Sequence, residues 1–240
     1  MAQDNSPPLE ISAVSVRFGD HQVLSNYHLT LQAGEVYALL GPNGAGKTTT
    51  INLILGCQPL FDGVVNVSGI DVRANPAAAR ETIAYIPEQV ALYPHLSGSE
   101  NLRYFTTLAG LRLDRPTLAG LLHDAGLDER AHGRKCSGYS KGMRQKVGIA
   151  IAVARNARLL LLDEPTSGLD PGAAADFTNV IRRAAARGTA VLMATHDLYR
   201  VREAADRVGI LSGGQISREL DPKTLDHFDL EKLYIEELAA

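Results

Sequence analysis

Short apolar runs set between turn residues divide this chain into strands that alternate with helices. Residues 35–40 (Glu-Val-Tyr-Ala-Leu-Leu) are mostly apolar with turn residues on both sides, the mark of a buried strand. The runs 159–162, 191–194 and 208–211 read the same way. Residues 48–55 read as a helix with Gly56 as its stop, and Ala-rich 173–186 and the shorter 198–205 as two more. Residues 9–31 hold alternating, hairpin-like segments and 64–67 a further strand, which predicts a small antiparallel sheet beside a parallel one. From about 100 to 125 the pattern turns helical, with Leu102, Phe105, Leu108, Leu118, Leu121 and Leu122 at spacings near three and four. The alternation implies an α/β fold on a parallel sheet, interrupted by a helical insertion. No internal repeat, low-complexity tract or coiled-coil heptad is present.

Composition narrows the partners. The 240 residues are 45% hydrophobic and 21% charged, ordinary for a globular protein of one or two domains. A formal charge of -3 speaks against a nucleic-acid binder. Cys57 and Cys136 are far apart with no His or Cys at zinc spacing, so they read as reduced thiols. Cys57 follows an apolar helix end and is expected to be a small core residue. Residues 1–8 lack the basic start and apolar stretch of a signal peptide, and no apolar run is long enough to span a bilayer. The chain is expected to be soluble by itself, with any membrane connection made through a partner.

Gly41-Pro42-Asn43-Gly44-Ala45-Gly46-Lys47-Thr48 fits the phosphate-loop pattern G-x-x-x-x-G-K-[ST] at every fixed position. Its glycines permit backbone angles that aim successive N–H groups into one concavity, and the helix starting near Lys47 points its positive end there. Lys47 adds a point charge for the β- and γ-oxygens, and the Thr48 hydroxyl can ligate magnesium. These residues and Thr49 are expected to bind ATP.

The strand 159–162 ends in Asp163 and Glu164, at the carboxyl edge where parallel sheets bind ligands. Asp163 is expected to hold magnesium through water, and Glu164 to orient and deprotonate the attacking water. A solvated strand end before the Pro165 turn is the plainer alternative. His196, at the end of another strand, meets the same edge and is expected to contact the γ-phosphate. Residues 138–142 (Gly-Tyr-Ser-Lys-Gly) match the hydrolase elbow G-x-S-x-G, and Asp170 and His196 follow in the required order. The elbow needs a buried strand before it, and the polar, basic residues 128–137 offer none.

With the phosphate loop, the strand-end acids and Tyr139-Ser140-Lys141-Gly142-Met143-Arg144-Gln145 in view, the chain resembles the nucleotide-binding subunit of ATP-binding cassette (ABC) transporters, over roughly residues 9–238. The resemblance implies a P-loop NTPase core of parallel sheet, flanking helices and small antiparallel sheet, with an inserted helical subdomain. On that basis 1–88 is the first part of the core, 89–154 the helical signature subdomain, 155–220 the second part and 221–240 an amphipathic tail. Residues 139–143 stand where the family has LSGGQ, with Ser140 and Gly142 matching. Residues 167–170, ending in Asp170, are similar to the D-loop, His196 falls on the switch histidine, and Phe18 on the aromatic that stacks on adenine. Where the family has its Q-loop glutamine, after Ile86-Pro87, this chain has Glu88, with Gln89 one residue later. Either the loop is shifted by one or Glu88 does the glutamine's work as a metal-side ligand.

The resemblance implies further that two such subunits associate head to tail, with each ATP between one phosphate loop and the other's Ser140 and Gly142. Basic residues around the signature (Arg134, Lys135, Lys141, Arg144, Lys146) read mostly as a solvated face. The implied partners are a second nucleotide-binding subunit, in a homodimer, and transmembrane permease subunits, at the cytoplasmic face of the membrane. Leu92, Tyr93, Pro94, Leu96 and Tyr104 are expected to line the permease dock. The tail 230–238 and the signature variant favour export over import. The competing reading is a soluble ABC ATPase without a transport role. Repair ATPases carry long coiled coils between Lys47 and Asp163, and translation members two cassettes; neither is seen here.

Overall fold

The computed structural model describes residues 6–58 and 62–239. The reading of residues 1–8 therefore falls outside it except at 6–8, and the side chain of Leu238 also lies outside. Strands β1 (Leu9–Phe18) and β2 (His21–Leu31) form a hairpin, followed by β3 (Val36–Leu40) and helix α1 (Lys47–Ile54). Next come β4 (Asp62–Val67), β5 (Ile70–Asp71), α2 (Pro76–Glu81) and β6 (Ile83–Ile86). Helices α3 (Gly98–Leu108), α4 (Arg115–Asp124), α5 (Glu129–His132) and α6 (Lys141–Ala154) fill the middle of the chain. The remainder is β7 (Leu159–Asp163), α7 (Pro171–Ala186), β8 (Ala190–Thr195), α8 (Leu198–Ala204), β9 (Arg207–Ser212), β10 (Gln215–Leu220) and α9 (His227–Ala239).

Among the described residues the strands form two sheets, β2-β1-β4-β5 and β10-β9-β3-β8-β7-β6. The first is antiparallel throughout; the second is parallel except at β10, which pairs antiparallel with β9. The two-residue period of the central strands builds two cores. Val36, Ala38 and Leu40 join Leu160, Leu162, Val191 and Met193 on one face, with side chains from α6, α7 and α8. Tyr37 and Leu39 join Leu159, Leu161 and Leu192 on the other, against α1 and the antiparallel sheet. Strands covered on both faces need apolar residues at every position, which is why these runs do not alternate.

The stretch from 100 to 125 is two helices. Asp114 caps the second, accepting from the Thr117 N–H at 2.9 Å, and Pro116 sits in its first turn. Leu102, Leu118 and Leu122 are buried, but Leu108, the last residue of α3, is 67% exposed. Cys57 is exposed, contrary to expectation. Helix α1 stops at Ile54, and Gly56 at φ +66° turns the chain outward before Cys57 is reached. Cys136 is buried, and burial raises its thiol pKa, against a hydrogen bond from Asn101 that lowers it.

In helix α9 Leu230 is buried and Tyr234 packs on the core, while Phe228 and Ile235 are exposed. Ser140 follows a 3-10 turn, Cys136–Gly138, and caps α6 with its hydroxyl, which accepts from the Met143 N–H at 3.2 Å. No strand leads into it, so the elbow reading fails on geometry. No helix among the described residues is long and apolar enough to cross a membrane.

Candidate nucleotide site

Three adjacent strands, β3, β8 and β7, deliver their carboxyl ends to one edge. Register makes them level, with Leu40 beside Thr195 and Ala194 beside Asp163. From Leu40 the chain enters the glycine-rich loop. A Cβ at Gly41 would lie 2.9 Å from the Leu211 carbonyl oxygen, and Gly46 turns into α1 at φ +110°. Both positions therefore require glycine. No side chain caps α1, so its first N–H groups stay available to an anion.

Lys47 is 6% exposed, and its Nζ donates to the Gly41 carbonyl at 2.6 Å and the Pro42 carbonyl at 3.2 Å. The same Nζ is 3.6 Å from Glu164 Oε1. Pro42, Asn43, Gly44, Gly46, Lys47, Thr48 and Thr49 line one pocket together with Glu88, Asp163 and Glu164. The Thr48 hydroxyl donates to Asp163 Oδ2 at 3.4 Å.

Glu164 is held firmly. Its backbone is left-handed at φ +44°, and its N–H donates to the Ala194 carbonyl at 2.9 Å. The carboxylate accepts from the Thr195 hydroxyl at 3.3 Å on Oε2 and from His196 Nδ1 at 2.9 Å on Oε1. Because a carboxylate only accepts, His196 carries its proton on Nδ1 in this contact. Thr195, which pattern reading passed over as the end of an apolar strand, is 1% exposed and also accepts from the Asp197 N–H at 3.0 Å.

Three carboxylates face one lysine in this pocket. Burial foremost, then the charge of Glu164, raises the Asp163 carboxyl pKa, against the Thr48 hydroxyl and Lys47, which lower it. The deficit of positive charge fits a hard divalent cation, which the neighbouring Thr48 and Asp163 oxygens could hold. Among the described residues no group of three or more His, Cys, Asp or Glu is placed to hold a metal ion.

A raised carboxyl pKa burdens the folded state above the unfolded carboxyl range, and the burden vanishes at pH values below it. Asp163→Asn is therefore expected to raise the melting temperature of the nucleotide-free protein at pH 7 by about 1 °C, solvent screening keeping the gain small. The same variant is expected to lose the extra stabilisation that magnesium adds to ATP. A thermal melt with ATP, with and without magnesium, reads both effects; an unchanged magnesium increment would remove Asp163 from the metal site.

Other expected residues lie apart from the pocket. Phe18 ends β1 and is 47% exposed. Ser140 and Gly142 open α6, and Asp170 caps α7 by accepting from the Ala173 N–H at 2.9 Å; none of the three lines the pocket. Of the two Q-loop candidates Glu88 lines it and Gln89 does not. Glu88 Oε1 accepts from the Ser167 hydroxyl at 3.3 Å and lies 3.6 Å from Lys141 Nζ.

Residues 24–167 match the family model described as ABC transporter. The chain is 39% identical to an uncharacterized ABC transporter ATP-binding protein, YdbJ, of Bacillus subtilis (strain 168), over 96% of this chain and 74% of that protein. It is 34% identical to Nod factor export ATP-binding protein I of Burkholderia lata, over 91% of this chain and 72% of that one. Its fold superposes with a TM-score of 0.78 on the dimeric post-hydrolysis state of the ATP-binding cassette MJ0796 bound to ADP and Pi, at 26% identity over 90% of this chain and 99% of that one.

Proposed function

Because the chain belongs to the ABC transporter family, whose ATPase domains hydrolyse ATP, we propose that it is the ATP-hydrolysing subunit that energises a membrane exporter. One observation carries the reading: the phosphate loop, Asp163 and Glu164 share a single pocket. The loop N–H groups and Lys47 cradle the β- and γ-phosphates. Glu164, aimed by Thr195 and His196, accepts a proton from the attacking water, and His196, bonded to that carboxylate, contacts the γ-phosphate. Thr48 and Asp163, with Glu88 nearby, would hold a magnesium ion, which would supply positive charge against the phosphate oxygens.

The position of Ser140 and Gly142 outside the pocket supports a pair of subunits, each lending its signature to the other's nucleotide. The dimeric cassette related to this chain supports the same arrangement. Phe18 is exposed at a strand end, where an adenine ring can stack on it. Export as the direction is supported by the related Nod factor export protein.

The aromatic set after the Q-loop is the contact for the membrane subunits. Tyr93 and Tyr104 are 47% and 40% exposed, and their rings meet edge to face at 4.8 Å, braced by Phe105. Leu92 and Leu96 are half-buried. Expressed with a neighbouring permease, the chain is expected to fractionate with membranes, and Tyr93→Glu to release it with ATP binding unchanged. Recovery of the wild type wholly in the soluble fraction, with the permease present, would favour an ABC ATPase without a transport role.

A further inference from the structure

Gln145 lies five positions after Ser140 in α6, is 1% exposed, and is only half engaged. Its Nε2 donates to the carbonyl of Pro165 at 3.2 Å, while its Oε1 has no partner among the described residues. A buried carboxamide with one end unsatisfied is a worse core residue than a methionine of the same length. Its polar end is then to be explained by what it holds. Pro165 directly follows Glu164, whose φ of +44° is a conformation a non-glycine residue keeps only when its surroundings impose it.

Two restraints on that turn come from β8: the Ala194 carbonyl on the Glu164 N–H and the Thr195 hydroxyl on the carboxylate. The turn also closes on itself, the Ser167 N–H donating to the Glu164 carbonyl at 3.1 Å. Gln145 adds a grip on the following peptide, and it comes from the helix that Ser140 opens.

We propose that Gln145 is a positioning residue for Glu164, linking the setting of α6 to the aim of the catalytic carboxylate; this rests on the reading of Glu164 as the base. A shift of α6 relative to β7 pulls on the Pro165 carbonyl and rotates the left-handed residue before it. The phosphate loop, which makes no contact with Gln145 through this bond, is left as it was.

The test is Gln145→Met, which keeps length and apolar bulk and deletes the donor. It is expected to lower kcat about ten- to a hundredfold, with the KM for ATP and the equilibrium affinity for a fluorescent ATP analogue within twofold of wild type. In a Glu164→Gln background the same change is expected to slow hydrolysis no further, because the group it aims is already disabled. An unchanged kcat overturns the proposal. So does a loss of nucleotide affinity parallel to the loss of kcat, or a full additional loss in the Glu164→Gln background. Gln145→Leu, which also lacks the donor, takes its place if the methionine protein does not fold. Failure of the underlying reading looks different: Glu164→Gln alone would then hydrolyse ATP at the wild-type rate.

Discussion

Lys47→Ala is expected to lower ATP turnover about a hundred- to a thousandfold, equivalent to roughly 3–4 kcal/mol of transition-state stabilisation. Among the described residues lining the pocket, Lys47 is the only lysine or arginine, opposite three carboxylates. Its ammonium is already desolvated and aimed, held by the Gly41 and Pro42 carbonyls at 2.6 and 3.2 Å. Charge preorganised in this way acts on phosphate oxygens without a reorganisation cost at the moment of reaction. Its loss also leaves Glu164 without the cation 3.6 Å away, so the carboxylates repel the nucleotide. Phosphate release by the purified variant, with nucleotide affinity from a fluorescent analogue, measures both consequences. Turnover close to wild type would remove the loop from catalysis.

Glu164→Gln is expected to keep ATP affinity and lose roughly a hundred- to ten-thousandfold in turnover. The amide matches the carboxylate in shape, and its oxygen can still accept from Thr195 or His196, but it cannot take a proton from water. Hydrolysis being the step that ends the ATP-bound state, the variant should accumulate as an ATP-bound dimer on size exclusion. A monomer that turns over normally in ATP would show that the base lies elsewhere.

The strands of the parallel sheet were legible because burial on both faces leaves an uninterrupted apolar run at β3, β7 and β8. The phosphate loop was legible because its chemistry needs fixed residue types at fixed spacing. β10 escaped notice: it is an edge strand, and Arg218 and Glu219 break its pattern. Helix α6 was seen only as a signature motif, since Gly142, Gly148 and three basic residues obscure its period. Gly148 proves to be a packing position, where a Cβ would lie 3.0 Å from Val90 Cγ2. What holds Glu164 could not be read at all, because Thr195 reaches its carboxylate from another strand and Gln145 reaches the carbonyl of the following Pro165 from another helix. Cys57 was misjudged because its neighbours are apolar, whereas the turn at Gly56 decides its exposure.

The order of the strands has a consequence for how the protein is made. β8 lies between β3 and β7 in space, yet it follows both in the chain. On the ribosome the phosphate loop therefore emerges long before Ala190, and until β8 arrives its supporting strand has no hydrogen-bonded neighbour on that side. The strand bearing Asp163 waits likewise, its edge open. A nascent chain that has not reached Thr195 carries every residue of the loop and no assembled pocket, so nucleotide cannot stabilise it. Long-range insertion of this kind is slow and leaves apolar edges exposed meanwhile. Protection of those edges during synthesis, and ATP as a ligand only of the finished domain, both follow from the position of one strand.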